Sequence, residues 1–173
     1  FENSIQYYKK VLEDLIQFQI KGSEDLDYNI CYPRAKFDEQ SLRWDLNYFK
    51  YYFLKLSGVV FNEQEIEDDF NKLINYLLQA DNNYFMYRDF QTRNIMLKDE
   101  ELNYIDYQGG REGPLQYDVA SLLYSGSVKI SQQIRDELLD HYIMNLKNAI
   151  SVNESEFKEY FYAFALVRIM QAM

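Results

Sequence analysis

Apolar residues recur at helical spacing along most of the chain. From Phe1 to Ile20 the stripe Ile5, Tyr8, Leu12, Leu15 and Ile16 predicts an amphipathic helix, and Gly22 supplies its stop. The pattern breaks between Ser23 and Phe37, around Asp25, Asp27, Asn29 and Pro33, so that stretch is read as a loop. Asp38 caps a second helix whose stripe Leu42, Leu46, Phe49, Phe53 and Leu56 ends at Ser57-Gly58. Asn62, with Glu65 three residues on, opens a third, which Ile66, Phe70, Leu73, Ile74 and Leu77 carry to Asp81-Asn82-Asn83. Ser131 caps a helix with Ile134, Leu138, Leu139, Tyr142, Ile143 and Leu146. Asn153 with Glu156 starts the last, with Phe157, Tyr160, Phe161, Phe164 and Ile169.

Between Tyr84 and Asp106 the period changes. An apolar run, Tyr84 to Tyr87, leads into a polar loop. Two short runs, Ile95 to Leu97 and Leu102 to Ile105, then flank the turn-like Lys98-Asp99-Glu100-Glu101, which reads as strand, loop and hairpin. The loop sets Asp89 five residues before Asn94, and the hairpin returns the chain to Asp106. Three oxygen-bearing side chains then converge at one end of a small sheet. Mg²⁺ takes one or two such ligands plus phosphate oxygens and waters, so Asn94 and Asp106 suit it and Asp89 is left to take a proton. The spacing matches the R-D-x-x-x-x-N catalytic loop of phosphoryl transfer with a metal-binding Asp after it. Asp and Asn are also ordinary turn residues; the strand before the loop and the hairpin after it favour the catalytic reading. The third helix, feeding straight into the loop, is expected to pack beneath it as a scaffold.

The segments Tyr87 to Asn94 (YRDFQTRN), Ile105 to Gln108 (IDYQ), Gly113-Pro114 and Tyr117 to Leu123 (YDVASLL) together resemble the aminoglycoside phosphotransferase family. Within it they are most similar to the bacterial branch that phosphorylates N-acetylmuramate and N-acetylglucosamine. The resemblance implies a mainly α fold with a small β-hairpin, the carboxy-terminal lobe of a protein-kinase-like fold. It also implies that Asp89 is the catalytic base, that Asn94 and Asp106 bind Mg²⁺, and that Asp118 is a buried brace for the loop, with Arg88 and Arg93 as loop support. A carboxylate in the apolar run around Asp118 needs hydrogen-bond donors, which the backbone of the loop above would supply. Arg93, beside Asn94, would hold charge near the phosphates or brace the loop. Tyr87 stands where the family usually has His, which bears on loop geometry and not on the base.

Gly109, Gly110 and Gly113 lie within five residues, but the G-x-x-x-x-G-K-[ST] pattern is lacking. This stretch is read as a flexible equivalent of an activation segment, with Arg111 its one cation, placed to meet phosphate or acidic substrate groups. On the second helix Arg43, Trp44 and Asp45 form a cluster. Either Trp44 stacks on a sugar ring while Asp45 binds its hydroxyls, or the cluster is an ordinary helix surface with an Arg–Asp pair.

The chain of 173 residues, 47% apolar, is long enough for one domain with a substantial core. Its net charge of −10 disfavours non-specific contact with nucleic acid or an anionic membrane. The single Cys31 makes no internal disulfide and no zinc pattern is present, which fits a reducing, cytoplasmic setting. His141 is the only histidine and reads as a surface residue. No apolar run approaches the ~20 residues that span a bilayer. Phe1 is not Met, and Phe164 to Met173 is apolar with no terminator, so both ends read as cut. A Gly-rich strand region and its Lys, the other half of a kinase site, are not found in this chain.

These observations predict an ATP- or GTP-dependent, Mg²⁺-requiring phosphotransferase acting on a hydroxyl of a small molecule, first an amino sugar and next an aminoglycoside or choline-like cation. A catalytically silent kinase-like binding module is the reading from a different class. The isolated 173 residues, without a nucleotide lobe, are expected to bind Mg-ATP weakly and to turn over no acceptor. The residues carry no information on oligomeric state.

Overall fold

The computed structural model describes residues 2–126 and 129–173. Phe1 of the predicted opening helix lies outside them. Helix α1 (Glu2–Lys21) buries Val11, Leu12, Leu15 and Ile16, the face its periodicity marks. Asp38, Asn62, Ser131 and Asn153 cap α2 (Glu39–Tyr48), α3 (Glu63–Leu77), α5 (Gln132–Leu146) and α6 (Glu154–Gln171). In each case the side-chain oxygen accepts a backbone N–H two or three residues on, satisfying a donor the first turn leaves orphaned.

The second helix does not run its stripe to Leu56. At Phe49 it widens into a π-helical segment, Phe49–Leu54. The wider turn rotates later residues away from the 3.6-residue face, so Phe53 and Leu56 are exposed and Lys50 is buried, 3% exposed. The Lys50 ammonium is matched by Glu67 (2.6 Å) and Glu63 (3.2 Å) on α3.

Strand β1 (Tyr84–Met86) leads to the loop, and β2 (Ile95–Lys98) and β3 (Glu101–Tyr104) form the hairpin. Asp99 and Glu100, at φ 51° and 65°, make its two-residue turn, the left-handed pair that matches strand twist. The expected single sheet is two: β1 pairs antiparallel with a strand the sequence pattern did not reveal, β4 (Arg111–Gly113), and the hairpin stands apart. The glycine-rich stretch, read as a flexible segment, thus contributes Arg111–Gly113 to a strand. A Cβ on Gly110 would meet the Phe85 ring at 2.7 Å, and one on Gly113 would meet Met86 Sδ at 2.8 Å. Close packing explains these glycines.

Helix α4 (Leu115–Leu123) is buried at every position and is the hub of the core. Helix α6 and β1 pack against it, and α1 packs on α5 and β1. Asp118 of α4 and Phe18 of α1 touch the loop itself, while α3, expected beneath it, packs on α2 and α6. Buried Gln19 of α1 donates to Leu115 O (3.0 Å) and accepts from Tyr142 OH (2.5 Å), tying α1, α4 and α5. His141 is not a free surface residue: its Nε2 meets Glu13 Oε1 at 3.0 Å, linking α5 to α1. No helix among the described residues is long and apolar enough to cross a membrane.

Candidate active site

The loop after β1 is fixed by a carboxylate beneath it. Asp118, in the first turn of α4 and fully buried, accepts the N–H of Tyr87 through Oδ2 (2.7 Å) and that of Arg88 through Oδ1 (2.9 Å). Both oxygens bond consecutive backbone amides, and the helix amino end adds favourable dipole field. Burial pushes the Asp118 carboxyl from 3.8 up to about 7, against the pull of those two N–H groups and of Arg168 and Arg88.

Arg88 sits at φ 81°, left-handed for a residue with a Cβ. Such a conformation costs about 1–3 kcal/mol and persists only where the surroundings fix it. Here the Asp118 bond holds the backbone while the guanidinium is clamped by Asp45 of α2, Nη1 to Oδ2 at 2.9 Å and Nη2 to Oδ1 at 2.6 Å. Tyr117 OH also accepts from Arg88 and donates to Asp45 (3.1 Å). Burial works against the Arg88 charge, yet Tyr117, Asp45 and Asp89 outweigh it and its pKa rises. Asp45, only 3% exposed, is therefore internal. It does not join Trp44, which is 46% exposed, in a surface sugar platform, and Arg43 turns instead to Glu39 and Asn71.

Tyr87 links the loop to the hairpin. Its hydroxyl donates to Ile105 O (2.9 Å), one residue before Asp106, while its ring packs on Phe90 and Phe18. Burial, with Asp106 and Asp118 nearby, pushes its hydroxyl up to about 12, so it stays a donor. Ile105 N–H in turn donates to Asn94 O (3.0 Å). These bonds hold Asp106 at φ 69°.

Asn94 Nδ2 donates to Asp89 O (2.9 Å) and to Asp106 Oδ2 (3.2 Å). One amide thus joins the loop that carries Asp89 to the hairpin exit that carries Asp106. Its nitrogen makes both bonds, so the amide oxygen is the atom Asn94 could offer a cation in addition to the Asp106 carboxylate. Two oxygen ligands and no cluster of three or more His, Cys, Asp or Glu side chains among the described residues is a donor set for a cation that arrives with phosphate oxygens, and it fits Mg²⁺.

Asp89 is half-buried, with Gln91 Nε2 3.4 Å from its Oδ1. It opens on a cleft of roughly 490 Å³ lined also by Tyr48, Gln91, Arg93, Arg168 and Gln171. Asn94, hydrogen-bonded to the Asp89 backbone, and Asp106 are not among the cleft's lining residues. Arg111 is remote from this role: it is buried, its Nε donates to Gly109 O (2.9 Å), and burial together with the Arg88 charge lowers its pKa.

Arg168 and Gln171 of α6 were not singled out from the sequence. Arg168 is 8% exposed and donates to Tyr117 OH (3.0 Å) and Gln171, whose Nε2 donates to Asp45 Oδ1 (3.0 Å). A single charge inside the apolar run Ala163 to Met170 is the signal that marked Asp118, and it marks Arg168 equally.

The model of the ecdysteroid kinase-like family matches residues 35–153. The N-acetylmuramate/N-acetylglucosamine kinase of Pseudomonas aeruginosa PAO1 is 26% identical over 123 residues, 69% of this chain and 34% of that protein. The crystal structure of choline kinase from Cryptosporidium parvum Iowa II matches with a TM-score of 0.64 at 13% identity, over 96% of this chain and 57% of that one. The fold is therefore protein-kinase-like. The chain spans about a third of the length of the curated relative and somewhat over half of the solved structure.

Proposed function

We propose that this chain, which belongs to the ecdysteroid kinase-like family, is the acceptor-binding and catalytic lobe of a small-molecule kinase that transfers the γ-phosphoryl group of ATP or GTP to a hydroxyl. The observation that carries this reading is the Asn94 side chain, hydrogen-bonded to both the Asp89 and Asp106 ends of the site. In this reading Asn94 and Asp106 hold Mg²⁺, which neutralises charge on the phosphate oxygens when bound. Asp89 accepts the proton of the acceptor hydroxyl as its oxygen bonds to phosphorus, and the nucleoside diphosphate leaves. Asp118 and the Arg88–Asp45 pair keep Asp89 in place. Tyr87 supports an active site and not a silent one, because its hydroxyl ties the loop to the hairpin exit.

The shares of 34% and 57% leave room for a lobe that holds the triphosphate from its other side. We assign that lobe to the remainder of a longer protein and expect the 173 residues alone to bind Mg-ATP weakly and to turn over no acceptor. An amino sugar is the first acceptor to test, supported by the name of the P. aeruginosa relative, with a choline-like or ecdysteroid alcohol next. The half-buried lone Cys31 suits a reducing compartment such as the cytoplasm. The test is ADP release by the full-length protein across amino sugars, aminoglycosides, choline and ecdysteroids. Acceptor-dependent release supports the reading; binding of Mg-ATP without release for any hydroxyl acceptor counts against it.

A further inference from the structure

The last turn of α6 reaches both the cleft and the network that holds the catalytic loop. Arg168 and Gln171 line the cleft beside Asp89, and both also bond inward. Each oxygen of the buried Asp45 carboxylate accepts one bond from Arg88 and one from another group, Oδ2 from Tyr117 OH (3.1 Å) and Oδ1 from Gln171 Nε2 (3.0 Å). Gln171 Oε1 in turn accepts from Arg168 Nη1, which also donates to Tyr117 OH (3.0 Å). The Gln171 amide therefore stands between a guanidinium and a carboxylate, and only one orientation serves both. Turned over, it would set its oxygen against the Asp45 carboxylate and its N–H groups against Arg168. A cation in its place would compete with Arg88 for the same carboxylate.

We propose, resting on the kinase reading above, that Gln171 is a positioning residue for Asp89, acting through Asp45 and Arg88. The path is short. Gln171 bonds Asp45, Asp45 clamps the Arg88 guanidinium, and Arg88 directly precedes Asp89 in the chain. Arg88, at φ 81°, holds a conformation that its surroundings must enforce, so slack in the clamp relaxes there and swings the next residue. A base displaced by about 1 Å loses about 10²-fold in rate with its chemistry unchanged. Attaching α6 to the core does not require these bonds, since α6 packs on α2, α3 and α4 and buries Phe157, Phe161, Phe164 and Val167.

The experiment uses the full-length protein and two variants. Gln171→Met keeps the length of the side chain and removes both bonds; Gln171→Glu keeps an acceptor for Arg168 and loses the donor to Asp45. Acceptor-dependent ADP release is read as kcat and KM. Amide hydrogen exchange is followed at Tyr87, Arg88 and Asn94, whose N–H groups are bonded to Asp118 and to Gln91 O, and across α4. Both variants are expected to lose about 10–100-fold in kcat with the acceptor KM within about threefold of the parent. The three loop amides should exchange faster while α4 keeps the protection of the parent. On the residual rate of Asp89→Asn, adding Gln171→Met is expected to cost nothing further, because a positioning residue has no effect once the group it positions is gone. Parent activity in Gln171→Glu overturns the inference and assigns the amide to Arg168 alone. A raised acceptor KM at unchanged kcat overturns it in favour of direct acceptor contact, and so do unchanged loop exchange, protection lost throughout α4, or losses that add in the double variant. Faster loop exchange in a protein that releases no ADP with any acceptor sustains the link to the loop and counts against phosphoryl transfer.

Discussion

Asp118→Ala removes the acceptor of two buried N–H groups at once. Tyr87 N and Arg88 N, 2.7 and 2.9 Å from its oxygens, are left facing a space that the alanine methyl does not reach. An unsatisfied buried donor costs about 1–3 kcal/mol, so the two together amount to about 2–6 kcal/mol. The removed carboxylate also carried a burial penalty, and this offset places the net loss near pH 7 in the lower half of that range. A domain stability of about 5–15 kcal/mol makes such a loss large. The penalty has a pH signature. The folded protein holds the Asp118 proton up to about pH 7, whereas an unfolded chain releases it near 3.8. The stabilising contribution of the proton is therefore complete below pH 3.8 and is lost as pH rises through about 7. Urea unfolding of the full-length protein and of Asp118→Ala, repeated across pH 4 to 8, measures both. The parent should lose stability over this window relative to the variant, so the gap between them narrows as pH rises. A variant within about 0.5 kcal/mol of the parent at every pH would show that Asp118 does not carry the loop.

Asp106→Ala should weaken Mg²⁺-dependent nucleotide binding together with turnover, read by calorimetry with and without the metal; parent-like Mg-ATP binding would remove Asp106 from the metal assignment. Asp45→Ala leaves the buried Arg88 guanidinium without its carboxylate and should cost roughly 3–5 kcal/mol in denaturant unfolding. An unchanged midpoint would mean that Arg88 finds another partner. Tyr87→Phe deletes only the bond to Ile105 O, so a loss of about 1 kcal/mol is expected, with the larger effect on kcat because Asp106 follows that carbonyl directly. Full activity in Tyr87→Phe would leave the ring, and not the hydroxyl, as the useful part of this residue.

What could be read from the sequence was local. Asp38, Asn62, Ser131 and Asn153 cap helices through bonds two or three residues long, and the stripe of α1 needs only its own period. The loop and hairpin were legible for the same reason, since Asp89, Asn94 and Asp106 lie within one short supersecondary unit. Polar pairs made at long range left no such trace. Asp45 reads as a surface residue because its partner Arg88 is 43 positions away, and the burial of Lys50 leaves no local signal because its partner Glu67 comes from another helix. A widened helical turn at Phe49 cannot be seen by a fixed 3.6-residue period, and the three-residue β4 is too short to show alternation. Arg168 was legible in principle, as a lone charge in an apolar run, by the reasoning that found Asp118.

The most direct test of phosphoryl transfer at Asp89 is acceptor-dependent ADP formation by the full-length protein and its Asp89→Asn variant, with Mg-ATP affinity measured on both. Asn keeps the shape of the side chain and cannot take the hydroxyl proton. The account predicts a fall in kcat of roughly 10²–10⁴ or more, with Mg-ATP affinity close to that of the parent. Turnover within a few fold of the parent would contradict it.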